Sequence, residues 1–288
     1  MKVLVTGASG QLGADVIRCC EAAGDEVTGL AHAQLDVADR DAVHAAVFGL
    51  APDVIYHCGA WTAVDACESD PDRAFAVNAY GPRNVAEAAG RVGAHVVAVS
   101  TDYVFDGAKP TPYVEWDATS PMSVYGRSKL GGEHEVAAHS PTCAIVRTSW
   151  VFGKRGSDLV SWAFGAYERG ELTGVLADQV SVPTYAPDLA AALAQFAVTR
   201  TQGLFHITSG SEAATRHELI TAALRARGLD ADGVAPIEHL DTERPAARPV
   251  YSVLDNRALR LAGASALRPW RDAIAEYVKD WDALEETQ

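Results

Sequence analysis

Tyr125, Gly126, Arg127, Ser128 and Lys129 place a phenol and an ammonium four positions apart, at the head of a helix-forming stretch that runs to residue 138. On a helix, positions i and i+4 share a face, so both polar heads can reach one pocket. A phenol with an ordinary pKa of about 10 is a poor proton donor at neutral pH. A nearby cation favours the phenolate and draws the group toward the range in which acid–base catalysis is efficient. The same spacing also describes a surface pair of the kind helices carry routinely. Residues upstream separate the two readings.

Thr6-Gly7-Ala8-Ser9-Gly10-Gln11-Leu12-Gly13 follows a strand-like run and opens a helical stretch. The glycines read G-x-x-G-x-x-G, a variant of the dinucleotide fingerprint: a tight turn, close backbone approach to a pyrophosphate, and close helix–strand packing. Free amides and the positive end of the helix then face the phosphates. The second strand ends Gly29-Leu30-Ala31-His32, without the carboxylate that would bind the adenine ribose of NAD and without an arginine. A 2′-phosphate is therefore not repelled, His32 lies near it, and NADPH is the expected cofactor, with NADH possible. Asp36-Val37 falls where a short loop meets the adenine, or equally where a turn precedes a helix cap at Asp39.

A further strand ends Val99-Ser100-Thr101-Asp102-Tyr103. Ligands of open α/β sheets bind beyond the carboxyl ends of the strands, which puts Thr101 at the mouth of the pocket. Its hydroxyl can donate to a substrate carbonyl while Tyr125 delivers the proton and Lys129 binds the nicotinamide ribose.

The elements that must position these groups alternate. Apolar β-rich runs at residues 3–5, 26–30, 54–56, 95–99 and 144–146 are separated by Ala-rich helical stretches at 12–23, 40–50, 71–79, 82–92 and 125–138. That order predicts repeated βαβ units in a Rossmann-type, doubly wound parallel sheet covered on both faces. Past residue 150 the alternation loosens, with helices expected at 157–169, 188–199, 217–227 and 269–281. Residues 1–150 are read as the nucleotide-binding domain, completed by part of 184–207, and 151–288 mainly as a smaller substrate-binding lobe.

Composition excludes several classes. The 288 residues are 48% hydrophobic and 22% charged, as in ordinary globular proteins. A formal net charge of −14 argues against a nucleic-acid partner. No apolar run approaches the roughly 18 residues of a membrane span, and the strand-like start carries no secretory signal, so a cytoplasmic protein is expected. The five cysteines are scattered and the nine histidines lack zinc spacing. Reduced, mostly buried thiols and unremarkable polar histidines are the expectation.

Taken together, these blocks resemble the extended short-chain dehydrogenase/reductase family, and within it the dTDP-4-dehydrorhamnose reductases. The resemblance runs from Lys2 to about Ala190, more weakly to Asp255. It rests on residues 6–13, Pro52-Asp53-Val54-Ile55, Thr62-Ala63-Val64-Asp65 with Glu68, Val77-Asn78-Ala79, residues 100–107 and 125–133, Arg147-Thr148-Ser149-Trp150-Val151-Phe152-Gly153, and Asp178-Gln179 with Pro183-Thr184. It implies reduction by NAD(P)H of the C4 ketone of a dTDP-6-deoxy-4-keto-L-hexose, with Thr101, Tyr125 and Lys129 catalytic. Cofactor contacts are implied for Gly7, Ser9, Gly10, Gln11, Leu12, Asp36, Val37, Cys58, Gly59, Ala60, Asn78 and Ser100. Substrate contacts are implied for Thr62, Val64, Asp102, Tyr103, Trp150 and Arg248.

Related sugar-nucleotide dehydratases carry Thr-Asp-Glu at the strand end; Tyr103 replaces the second carboxyl here and disfavours water loss. Arg244, Arg248 and Lys154 could clamp a diphosphate. Asp65 and Glu68 read as loop and cap features more than as a pocket pair, and Trp61, Trp116 and Trp162 as packing. Some family members dimerise around Mg²⁺. Asp15 suits one ligand position, but the other reads Tyr185-Ala186-Pro187-Asp188, with proline where a carboxylate is expected. No metal, and a monomer or weak homodimer, are expected. The alternatives are 4-ketoreduction or aldehyde reduction of a different antibiotic-type dTDP-deoxysugar, or a non-catalytic regulatory subunit of the same fold.

Overall fold

A computed structural model of the protein describes residues 1–154, 158–210, 212–238 and 244–285. The first half runs β1 (Lys2–Thr6), α1 (Gln11–Ala22), β2 (Glu26–Leu30), α2 (Arg40–Leu50), β3 (Val54–His57), α3 (Val64–Ser69), α4 (Pro71–Phe75), α5 (Gly81–Val92), β4 (His95–Thr101), α6 (Val124–His139) and β5 (Cys143–Thr148). The second half runs β6 (Val151–Phe152), α7 (Leu159–Glu168), β7 (Gly174–Leu176), β8 (Val180–Ser181), β9 (Thr184–Tyr185), α8 (Ala186–Thr199), β10 (Gly203–His206), β11 (Ala214–Thr215), α9 (Arg216–Ala226), β12 (Ala235–Ile237), α10 (Arg257–Leu261) and α11 (Trp270–Glu285).

Six strands form one parallel sheet in the order β10-β5-β4-β3-β1-β2. The chain steps outward from β1 to β2 and then returns to β3 on the other side of β1. This reversal opens a crevice beyond the carboxyl ends of β1 and β3, where ligands of doubly wound sheets bind. Because side chains alternate across a strand, Val3 and Val5 pack under α1 and α8 with Val16, Leu189 and Leu193. Leu4 points to the other face, with Val43 and Val47 of α2 and Val85 and Ala89 of α5. Burying each of these aliphatic side chains contributes about 1.5–3 kcal/mol.

The second core joins Phe152, Phe164, Leu219, Ile220, Trp270, Ile274 and Tyr277 from β6, α7, α9 and α11. Three two-stranded ladders, β6–β9, β7–β12 and β8–β11, brace it against the sheet domain.

The helix expected over 71–79 is divided: α4 ends at Phe75 and a π-helical turn, Ala76–Tyr80, leads into α5. The helix expected over 157–169 is α7, and Ser157 lies outside the described residues. Short α3 and α10 and the two- to three-residue strands lacked enough periodicity to be read from the sequence.

Candidate active site

The phosphate-binding turn is dictated by its backbone. Gly7 has φ +70°, and a Cβ there would sit 2.6 Å from the Gly59 amide nitrogen. A Cβ on Gly13 would collide with the Gly7 carbonyl. Only hydrogen at both positions lets α1 start hard against β1 and β3. The helices α2, α7 and α9 begin with side-chain caps from Asp39, Asp158 and Thr215, whereas α1 begins at Gly10 with no side-chain cap and no acidic residue in its first turn. Its first amides are left for an anion.

That turn opens onto two adjoining clefts. One, of about 290 Å³, is lined by Gly7, Ser9, Gly10, His32, Val37, Cys58, Gly59, Ala60 and Trp61 among others. The other, of about 460 Å³, continues past Gln11, Leu12, Ser100, Thr101, Tyr125 and Lys129 to Trp150. The uncapped amides, the side-chain-free turn and the elongated apolar-walled crevice fit a dinucleotide.

Not every expected cofactor residue is there. Asp36 is exposed and its carboxylate accepts the Ala38 amide at 3.0 Å, closing a turn ahead of the Asp39 cap. Asn78 is fully buried outside the two clefts. Its amide accepts from Trp61 N at 2.8 Å and donates to Trp61 O and to Ser128 Oγ at 3.0 and 3.1 Å, so it ties the loop after β3 to α6. Ser100 lines the cleft, but its hydroxyl turns inward and donates to Glu133 at 2.5 Å. The Gln11 side chain reaches across to Asp158 at 3.0 Å and links the loop to the second lobe. Burial pushes the Cys58 thiol up to about 12 and leaves it inert.

The three residues expected to be catalytic are brought together. The Ser123 side chain caps α6, and Glu68 accepts the Val124 amide at 2.7 Å, which fixes where Tyr125 leaves the helix. Glu68 is thus a positioning contact from α3. Thr101 ends β4 beside Tyr125, and Tyr125 and Lys129 are buried on one face of α6. Burial pushes the Tyr125 phenol up, a hydrogen bond with Thr101 draws it back, and Asp102 and Tyr103 raise it further. Lys129 is not among the groups that move it most. Its ammonium donates to the Val99 carbonyl at 2.7 Å, and burial pushes it down to about 8 against the pull of Glu133. Desolvation of both groups outweighs the expected coupling between them. The Thr101 hydroxyl can donate at 3.0 Å to Asp102, a buried carboxylate that needs donors.

Beyond the trio lies a pocket of about 220 Å³. Thr62, Thr101, Asp102, Tyr103, Tyr125 and Arg216 make its polar side; Val64, Trp150, Val151, Phe152, Leu159 and Leu219 make its apolar side. Trp150 enters with φ +42°, an uncommon conformation for a bulky residue. Asp102 also accepts from Ser252 at 2.5 Å and Ser181 at 3.4 Å, and burial pushes it up to about 6.

Arg248 makes a two-pronged ion pair with Asp65 at 2.9 and 2.7 Å, and Lys154 pairs with Asp280 at 2.6 Å. Neither is the open diphosphate clamp expected of it. Asp188 is held by Arg268 at 2.7 Å and Asp15 by Arg18. Trp61 lines the first cleft under Arg73 and packs against the buried cluster of Cys67, Ala74, Val124 and Tyr125, as expected of it, whereas Trp116 and Trp162 are exposed. Among the histidines, His57 and His206 are buried and pushed down to about 3. Arg216 was missed. The one signal for it was a cation in the first turn of a helix, where the helix dipole disfavours it.

Residues 1–283 match the family model described as RmlD substrate binding domain. A dTDP-4-dehydrorhamnose reductase of Streptomyces griseus is 41% identical over 279 residues, covering 95% of this chain and 91% of that protein. A protein of Streptomyces antibioticus named as a probable dTDP-4,6-dihydroxy-2-methyloxan-3-one 4-ketoreductase is 38% identical over 289 residues, covering 99% and 97%. The solved dTDP-4-dehydrorhamnose reductase of Bacillus anthracis, in complex with NADP, superposes with a TM-score of 0.92 at 33% identity, covering 96% of this chain and 98% of that one. With its glycine turn, its Thr101–Tyr125–Lys129 centre and a match over nearly its whole length, the chain belongs to the RmlD substrate-binding-domain family, the dTDP-4-dehydrorhamnose reductase-like branch of the extended short-chain dehydrogenases/reductases.

Proposed function

We propose that this protein reduces the C4 ketone of a dTDP-6-deoxy-4-keto-L-hexose, with NADPH as its reductant in preference to NADH. The observation that carries the reading is the position of Tyr125, a buried phenol where the dinucleotide cleft runs into the Trp150 pocket. The first amides of α1 and the turn at Gly7 and Gly10 would hold the diphosphate of the cofactor, and His32, in place of a carboxylate, leaves room for a 2′-phosphate. The nicotinamide, when bound, supplies the hydride.

Reduction needs a proton on the ketone oxygen, and the raised Tyr125 phenol holds one at neutral pH. That proton passes to the oxygen as the new hydroxyl forms. Thr101 orients the phenol through the hydrogen bond between them. Lys129 places a positive charge beside the phenolate that remains, which favours the transfer. Tyr103 stands where a dehydratase would carry its second carboxyl. On the far side, the wall of Phe152, Leu159 and Leu219 suits an apolar C6 methyl, and Thr62 and Asp102 suit ring hydroxyls.

The test is loss of NADPH absorbance on mixing the protein with dTDP-4-dehydrorhamnose. Turnover by wild type and its loss in Tyr125→Phe are expected; full turnover by Tyr125→Phe would refute the mechanism. The Streptomyces antibioticus relative favours a second reading, 4-ketoreduction of another dTDP-deoxysugar by the same residues. A panel of dTDP-4-keto sugars separates the two by kcat/KM.

A further inference from the structure

His57, the last residue of β3, is 1% exposed and takes no part in the proton transfer. Its Nδ1 lies 2.8 Å from the Thr6 hydroxyl oxygen. Its Nε2 has no hydrogen-bond partner among the described residues. Leaving a buried ring nitrogen unpaired is costly, and such groups are nearly always matched by protein or by ordered water. Ionisation offers no escape. Burial, and then the charge of Lys129, push the imidazolium down to about 3, so the ring is neutral at physiological pH. A neutral ring carries one N–H and one lone pair.

The ring lies on the wall of a cavity of about 10 Å³ beneath α6, room for one water. Lys129 and Glu133 line the same cavity. Lys129 also lines the larger dinucleotide cleft, so it stands in the partition between cleft and cavity. An ammonium has three donors, and one of them goes to the Val99 carbonyl at 2.7 Å. Two other polar residues on the wall are already engaged: Asn78 with Trp61 and Ser128, Ser100 with Glu133. The Glu133 carboxylate accepts from Ser100 and from Nε and Nη2 of Arg147, which leaves one of its roughly four lone-pair sites. Three groups with capacity to spare thus border a space the size of one water. An ammonium N–H, a ring nitrogen and a carboxylate lone pair are the two to four polar partners that a buried water requires.

We propose that this cavity holds a single water and that His57, acting through it, is a positioning residue for Lys129. The water accepts from the Lys129 ammonium and donates to His57 Nε2 and to Glu133, and His57 Nδ1–H donates to the Thr6 hydroxyl. The ring's lone pair then faces the cation and its N–H faces a neutral hydroxyl, the orientation Coulomb attraction favours. Held from behind by the water and the Val99 carbonyl, the ammonium keeps its charge and turns its third donor toward the cleft. The other ionisable groups that act on it are few. Glu133 raises its pKa, as does Cys58, whose thiol burial keeps neutral, while the Arg147 guanidinium is paired with Glu133. The site stands on geometry; its effect on turnover rests on the ketoreductase reading.

The experiment has three arms. High-resolution diffraction from the wild type should show one density peak within hydrogen-bond distance of both His57 Nε2 and Lys129 Nζ. Nitrogen NMR of histidine-labelled protein, with the His57 signals identified by their loss in His57→Gln, should show a protonated Nδ1 and a bare Nε2. The pH–rate profile on dTDP-4-dehydrorhamnose should keep its shape in His57→Leu while its alkaline midpoint falls by about one pH unit, the effect of one lost hydrogen bond to a charged group. His57→Gln, whose amide oxygen can meet the same water, should recover part of that fall. A dry cavity, or a proton on Nε2, overturns the proposal even where His57→Leu fails to fold. A folded His57→Leu that loses kcat equally at every pH, with an unmoved midpoint, indicates a purely structural role and also overturns it. A wild type that reduces no dTDP-keto sugar overturns the ketoreductase reading alone, and density and tautomer then decide the water site.

Discussion

The rings of Tyr103 and Tyr125 meet edge to face, with centroids 5.7 Å apart and planes at 80°. The residue that departs from the dehydratase pattern thus packs directly on the proposed proton donor. An edge-to-face pair contributes about 0.5–1.5 kcal/mol, equivalent to roughly 2- to 10-fold in rate if the contact orients the donor. Tyr103→Ala should lower kcat by that factor, whereas Tyr103→Phe, which keeps the ring, should hold kcat near wild type. Tyr125→Phe should cost about 10²- to 10⁴-fold. Steady-state kinetics on the three variants checks the order.

Lys129 governs the alkaline limb. Burial holds its folded value at about 8, below the ordinary 10.5. The ammonium is therefore present below pH 8 and lost as pH rises through it, and kcat should fall across that point. Stability moves the other way between 8 and 10.5, where only the unfolded chain still binds the proton. Lys129→Met should remove the limb together with most of the activity; a pH–rate profile decides.

Asp102 gives an acid-side signature. Burial raises its folded value to about 6 from 3.8. Between these values the folded protein binds more protons than the unfolded chain, so this carboxyl's contribution to stability falls as pH rises from 3.8 to 6. Asp102→Asn should remove that slope. Urea midpoints measured across the window, wild type against variant, test it.

Arg147 and Glu133 form a two-pronged ion pair at 2.9 and 2.7 Å, with side chains 4% and 5% exposed, one turn beyond Lys129 on α6. Removing either partner strands a buried charge, so Glu133→Gln or Arg147→Met should cost about 3–5 kcal/mol. The double variant should lose less than the two single losses combined. Chemical denaturation measures all three.

Gly7→Ala puts a methyl against the Gly59 amide at φ +70°. Strain of about 1–3 kcal/mol and loss of NADPH binding are expected together, read by thermal melting with and without NADPH.

Much of this was legible in the order of residues. The glycine turn, Thr101 and the Tyr125–Lys129 spacing are local features, because a tight turn, a strand end and a helical face each need only neighbouring residues. The alternation of strands and helices likewise dictated a parallel sheet. What tertiary structure decided are the partners. Lys129 turned to the Val99 carbonyl, Thr101 met Asp102, and Asn78 became a tie between Trp61 and Ser128, each because a buried polar group must find a mate wherever packing brings one. Arg248 and Lys154 were spent on Asp65 and Asp280, residues 183 and 126 positions away in the chain. Arg216 reached the pocket only because the second lobe folds back over β4. A phenol and an ammonium four residues apart could be found by spacing; the charges, hydroxyls and rings around them were set by chain segments that meet only in the folded protein.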